Sequence, residues 1–159
     1  MLRVLGRARP DPVRGSRLEV AQPELLRELG RRFARFVTPE VDRVAGAELG
    51  AIALAAATAL ETGKPFVIVR NAKKAGYGTG KLIEGRLERG ERVLLVEDIA
   101  TSGGQALEAC QTLREAGAQV VAVVVTIDRQ EGARAAFEAA GVRFERLFTS
   151  ADLGIVKNE

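Results

Sequence analysis

The chain has 159 residues, 47% of them hydrophobic and 28% charged, with a formal net charge of +3 and no histidine. That length suits one domain, residues 1–159, and the small positive excess suits a small anionic substrate at least as well as nucleic acid. Without histidine, and with Cys110 as the single cysteine, Ser-His-Asp, Cys-His and histidine-zinc chemistry and an intrachain disulfide are excluded, so chemistry rests on carboxylates, Lys, Arg, hydroxyls and backbone amides.

One Tyr, six Phe and no Trp make a poor platform for stacking bases, so no nucleic-acid partner is expected. The longest uncharged, mostly apolar stretch, Leu49 to Leu60, is too short to cross a bilayer, and Met1 to Arg14 has scattered arginines instead of an apolar leader. No membrane partner and a cytoplasmic location are the expectations.

In chain order, Pro10, Pro12 and Gly15 mark an irregular lead-in. Gln22 to Phe36 carries Leu25, Leu26, Leu29, Phe33 and Phe36 at helical spacing, with Pro23 in the first turn. Val41 to Ala45 reads as a strand, Ala47 to Gly50 as a turn, and Ile52 to Thr62 as an alanine-rich helix ended by Gly63. Pro65 to Arg70 is a continuous apolar strand of the kind buried on both faces.

Asn71 to Gly80, with three glycines, reads as a mobile loop, and Lys81 to Leu87 as a short strand. Val93 to Glu97, the helix Gly104 to Ala116 and Val120 to Ile127 form a strand-helix-strand unit. A helix from Gly132 to Ala140 and a strand from Val142 to Phe148 complete the pattern. The alternation predicts an α/β fold, a mainly parallel twisted sheet flanked by helices. Ligands in such sheets bind at the carboxyl ends of the strands, where the turns after Val44, Arg70, Val96 and Ile127 converge.

"VEDIATSGG", from Val96 to Gly104, carries the most chemistry. Thr101, Ser102, Gly103 and Gly104 stand where a strand-to-helix turn offers main-chain N–H groups at a helix N-terminus, a phosphate cradle; the plain alternative is ordinary N-capping by a hydroxyl. Glu97 and Asp98 would repel a bare phosphate within about 6 Å. Sugar hydroxyls, with Mg²⁺ between ligand and protein, satisfy the acids, so a ribose 5-phosphate unit fits both features together.

This stretch resembles the phosphoribosyl pyrophosphate (PRPP) motif of type I phosphoribosyltransferases. Three further stretches are similar to the orotate phosphoribosyltransferase family: Arg43 to Ala55 to its pyrophosphate turn, Lys64 to Gly85 to its strand and catalytic loop, and "DRQEGA" (Asp128 to Ala133) to its base-side signature. The resemblance implies transfer of 5-phosphoribosyl from PRPP to orotate, with Mg²⁺ bound mainly through PRPP and no dedicated metal site. It places the 5-phosphate on Ala100 and on Thr101 to Gly104, with Thr101 also near the base, and the ribose hydroxyls on Glu97 and Asp98. It assigns the diphosphate to main-chain amides of Ala47 and Glu48, and adds Tyr77 to the PRPP contacts.

Arg70, Lys73 and Lys74, with Asp98, are the catalytic candidates the resemblance implies, the loop lysine being lent to the neighbouring subunit of a homodimer. By themselves those residues and Lys81 read as a solvated basic loop. Arg129 supplies a guanidinium fork that fits a planar anionic base; otherwise it is a solvated residue after a helix-starting Asp128. "GYGTGK" is not an ATP-binding P-loop, because Ala75 and Leu82 replace its glycine and hydroxyl.

The chain departs from the family at Asn71 and Ala75, where lysines are usual, so Lys73 and Lys74 compete and Lys74 is expected to act. The N-terminal hood that roofs the base is expected to be reduced. A PRPP-binding regulatory module without turnover, or the same transfer to another base, is the alternative.

Overall fold

The computed structural model describes residues 22–71 and 81–154. The lead-in, Lys73, Lys74 and Tyr77 lie outside the described residues. The first helix, α1 (Pro23–Ala34), opens with a proline whose missing N–H is no loss there, and it turns Leu29 and Phe33 into the core. After it come β1 (Arg43–Ala47), α2 (Ala51–Thr62), β2 (Phe66–Val69), the short β3 (Ile83–Glu84), β4 (Arg92–Ala100) and α3 (Gly104–Glu115). The chain continues with β5 (Gln119–Asp128), α4 (Ala133–Ala139), β6 (Phe144–Thr149) and a 3-10 turn (Ala151–Leu153).

The strands form one sheet in the order β3-β2-β1-β4-β5-β6. Every pairing is parallel except β2 with β3, which is antiparallel through Ile68↔Glu84 and Val69↔Ile83. Side chains alternate across a strand, so β4 sends Val93 and Leu95 to one face and Leu94 and Val96 to the other. The first pair packs with Ala106, Cys110 and Leu113 of α3 and Phe137 of α4. The second packs with Leu29 and Phe33 of α1 and Leu54 and Ala55 of α2. A sheet covered on both faces explains the unbroken Val, Ile and Leu runs of its central strands.

Several boundaries differ from the sequence expectations, each for a tertiary reason. β1 starts at Arg43 instead of Val41, where the guanidinium grips Glu91 in a fork of 2.8 and 2.6 Å. That bond raises the Arg43 pKa and holds the Glu91 carboxyl below its ordinary range. β3 keeps two of the seven residues expected from Lys81 to Leu87, because it is an edge strand paired only with β2. β6 begins at Phe144, not Val142, whose N–H donates instead to Phe137 and closes α4. β4 extends past Glu97 to Ala100, since its ladder with β5 continues through Ile99↔Ile127 and Ala100↔Asp128.

Candidate active site

Sequence-adjacent strands lie to either side of the β1–β4 pair, so the order reverses there. α2, leaving β1, and α3, leaving β4, pack on opposite faces of the sheet. The space between them at the carboxyl ends of β1 and β4 is the crevice where α/β sheets of this kind take ligands. The turn Glu48–Gly50 follows β1 there and the loop Thr101–Gly103 follows β4.

The loop is built as a cradle. Ala100 is buried at the end of β4, and its carbonyl accepts the Arg129 N–H at 2.9 Å, while the Thr101 carbonyl accepts the Ala133 N–H at 3.1 Å. These bonds tie the loop to the turn after β5. Gly103 adopts φ +84°, and a Cβ there would stand 3.0 Å from the Phe137 ring, so this position requires glycine. The N-cap residue of α3 is Gly103, and among the described residues no side chain caps that terminus. Thr101 and Ser102 therefore do not consume the helix-start amides, which is what ordinary N-capping would have required.

Glu97 and Asp98 differ sharply in setting. Strand alternation puts Glu97 in the row of Val93 and Leu95, where it is 6% exposed, and Asp98 in the row of Leu94 and Val96. Glu97 Oε1 accepts the Asp98 N–H at 3.0 Å, and Oε2 has no partner among the described residues. Burial, reinforced by the neighbouring Asp98 carboxylate, pushes the Glu97 carboxyl up to about 9. It is neutral near pH 7, and the doublet presents at most one negative charge to an anion in the cradle. Asp98 Oδ1 accepts the Ile99 N–H at 2.7 Å. Its carboxylate lies against Gly50, which stands before α2.

In the turn after β1, the Glu48–Leu49 peptide is cis. The Glu48 N–H donates to the Val69 carbonyl at 2.9 Å, so that amide, expected to face a diphosphate, is engaged by β2. The Glu48 carbonyl accepts the Gln105 side-chain N–H at 3.1 Å, and Glu48 Oε1 accepts the Asn71 N–H at 2.8 Å. Ala47 is buried in β1. Arg70, at the end of β2, donates its N–H to Leu82 at 2.8 Å and faces Glu84 at 3.6 Å.

On the base side, the Arg129 guanidinium is half exposed and pairs with Glu131 at 3.0 Å. Asp128 beside it is buried; its Oδ1 accepts the Gln130 N–H at 2.8 Å, and its Oδ2 faces Arg146 at 3.4 Å. The main-chain bond from Arg129 to Ala100 thus joins the turn after β5 to the loop before α3, and the Asp98–Gly50 contact joins the turn after β1 to β4. Gly50, Gln105 and Arg146 were not singled out from sequence. Gly50 closes the small-residue run "AGAELG" and Gln105 directly follows the cradle; nothing local marks Arg146.

Residues 21–140 match the family model described as a phosphoribosyl transferase domain. Orotate phosphoribosyltransferase of Pyrococcus abyssi is 46% identical over 130 residues, covering 82% of this chain and 71% of the relative. That of Pyrococcus horikoshii is 43% identical over 147 residues, 88% of this chain and 78% of the relative. Among solved structures, Mycobacterium tuberculosis orotate phosphoribosyltransferase in complex with PRPP superposes with a TM-score of 0.70 at 35% identity, covering 81% of this chain and 75% of that one. The matched domain and these identities over most of both chains show that the chain belongs to the type I phosphoribosyltransferases, in the orotate phosphoribosyltransferase family.

Proposed function

We propose that this enzyme transfers the 5-phosphoribosyl group of PRPP to orotate, giving orotidine 5'-monophosphate and pyrophosphate, a step of pyrimidine synthesis. The bond from ribose C1 to the diphosphate oxygen breaks, a bond from C1 to the base nitrogen forms, and the base gives up its N–H proton. The observation that carries this reading is the uncapped start of α3 beside the Asp98–Gly50 contact. It supports a phosphate site at the start of α3 and a diphosphate site at the turn before α2.

In this assignment the amides and hydroxyls of Thr101 to Gly104 hold the 5-phosphate, with Ala100 at the floor. Asp98 accepts from a ribose hydroxyl. Glu97, neutral and buried with an unpartnered oxygen, sets the local polarity and offers a proton donor where a second carboxylate would repel. Ala47 and the residues after Glu48 border the diphosphate. Arg129 exchanges its Glu131 partner for the planar anionic base.

Arg70, Lys73 and Lys74 are assigned to the charge that builds on the departing diphosphate, with Lys74 foremost, and Tyr77 to the same side. Among the described residues no three acidic or cysteine side chains gather to hold a metal ion. The oxygen donors present, with Asp98 at the crevice, fit a Mg²⁺ that arrives on PRPP and takes most ligands from it. Such an ion neutralises diphosphate charge when bound. A cytoplasmic homodimer that shares loop lysines between subunits completes the proposal; among the described residues no helix is long and apolar enough to cross a membrane.

The test is the absorbance change of orotate with PRPP and Mg²⁺, run beside a panel of other bases. Turnover with orotate well above every other base is the expected result. Tight PRPP binding without turnover of any base would replace the transferase with a regulatory module, a reading that Asn71 in a family lysine position favours.

A further inference from the structure

Glu48 is held at three points: its N–H by Val69, its side chain by the Asn71 N–H, and its carbonyl by Gln105. The third bond crosses the crevice. Gln105 follows Gly104 in the first turn of α3, directly after the cradle, yet its side-chain N–H donates at 3.1 Å to a carbonyl 57 residues earlier. An exposed glutamine on a helix ordinarily gives its amide to water. Here it joins the two turns that, on the function proposed above, grip opposite ends of one PRPP molecule.

We propose that Gln105 is a positioning residue for the diphosphate. A Glu48 carbonyl left without a donor could turn its oxygen toward the crevice and repel an anion there. Accepting the Gln105 N–H holds it out of that role. The same bond sets the path of the chain into Gly50 and so fixes the turn relative to the cradle on α3. Gln105 itself need not touch substrate. Glu48, Gln105, Arg70, Asn71 and Glu108 line an open cleft, so the bond has no close-packed shell to replace it.

Because the bond acts on the diphosphate end, its loss separates ligands by the groups they carry. Gln105→Met keeps the length of the side chain and removes the donor. Titration calorimetry on the full chain would compare Mg²⁺-pyrophosphate, PRPP and orotidine 5'-monophosphate. The dissociation constants of the first two are expected to rise roughly three- to tenfold, the range for one lost hydrogen bond, with that of orotidine 5'-monophosphate within about twofold.

Unchanged pyrophosphate affinity would overturn the inference. Equal weakening of all three ligands would also overturn it, because damage to α3 disturbs the cradle as much as the turn. Since binding is the readout, a wild-type chain that binds pyrophosphate without turning over a base sinks the transferase reading and leaves this comparison decisive. A wild-type chain that binds neither pyrophosphate nor PRPP overturns both.

Discussion

The Asp98 carboxylate lies so close to Gly50 that a Cβ on the glycine would fall within it. Gly50 precedes α2 in the turn after β1, and Asp98 lies near the end of β4. One contact therefore spans the two strands between which the sheet order reverses. On the proposed function, it sets where the acid assigned to a ribose hydroxyl stands relative to the turn assigned to the diphosphate.

Gly50→Ala tests that contact. The backbone at Gly50 is right-handed helical, φ −64° and ψ −35°, so alanine brings no dihedral strain and acts through the clash with Asp98 alone. The variant is expected to fold, with PRPP affinity reduced on the order of ten- to a hundredfold by the displaced carboxylate. Calorimetric titration of PRPP checks it; wild-type affinity would show that Asp98 does not need this position.

Glu97→Gln tests the neutral acid through the pH dependence of stability. The folded-state pKa is raised from 4.5 to about 9. Between those values the unfolded chain releases a proton that the folded chain keeps, so the contribution of Glu97 is full at acid pH and lost as pH rises toward 9. Wild-type Tm should therefore fall relative to the Glu97→Gln variant as pH rises from about 5 to about 9. Parallel Tm profiles in scanning calorimetry would mean that Glu97 ionises normally.

Arg129→Ala separates base from sugar. Its guanidinium is half exposed and held by Glu131 alone among the described ion pairs, while its main chain carries the bond to Ala100, which alanine retains. KM for orotate is expected to rise roughly ten- to a hundredfold, the range for lost hydrogen bonds to a charged group, with KM for PRPP little changed. Steady-state kinetics with each substrate varied in turn gives the answer. An equal rise in both would place Arg129 in the scaffold instead.

The parallel sheet was legible because Phe66 to Val69, Leu94 to Val96 and Val123 to Val125 are apolar runs fit only for a sheet covered on both faces. The turn into α3 was legible from "ATSGG", since its physics is local: Gly103 takes the left-handed conformation and α3 starts at Gly104. The contrast between Glu97 and Asp98 was not. Sequence placed two acids after a strand, whereas pairing with β5 carries β4 through them to Ala100 and leaves Glu97 buried and Asp98 partly exposed. Pairing across the sheet also made the Gly50–Asp98 and Gln105–Glu48 contacts, which join residues 48 and 57 positions apart. No window along the chain contains both partners.

The most direct test of the account is a crystal structure of the protein with PRPP and Mg²⁺. The 5-phosphate is predicted to accept from the amides of Ser102 to Gly104, with a ribose hydroxyl donating to Asp98 and the diphosphate against the turn at Gly50. A PRPP molecule seated elsewhere, or one whose diphosphate occupies the start of α3 while its 5-phosphate faces Gly50, would contradict it.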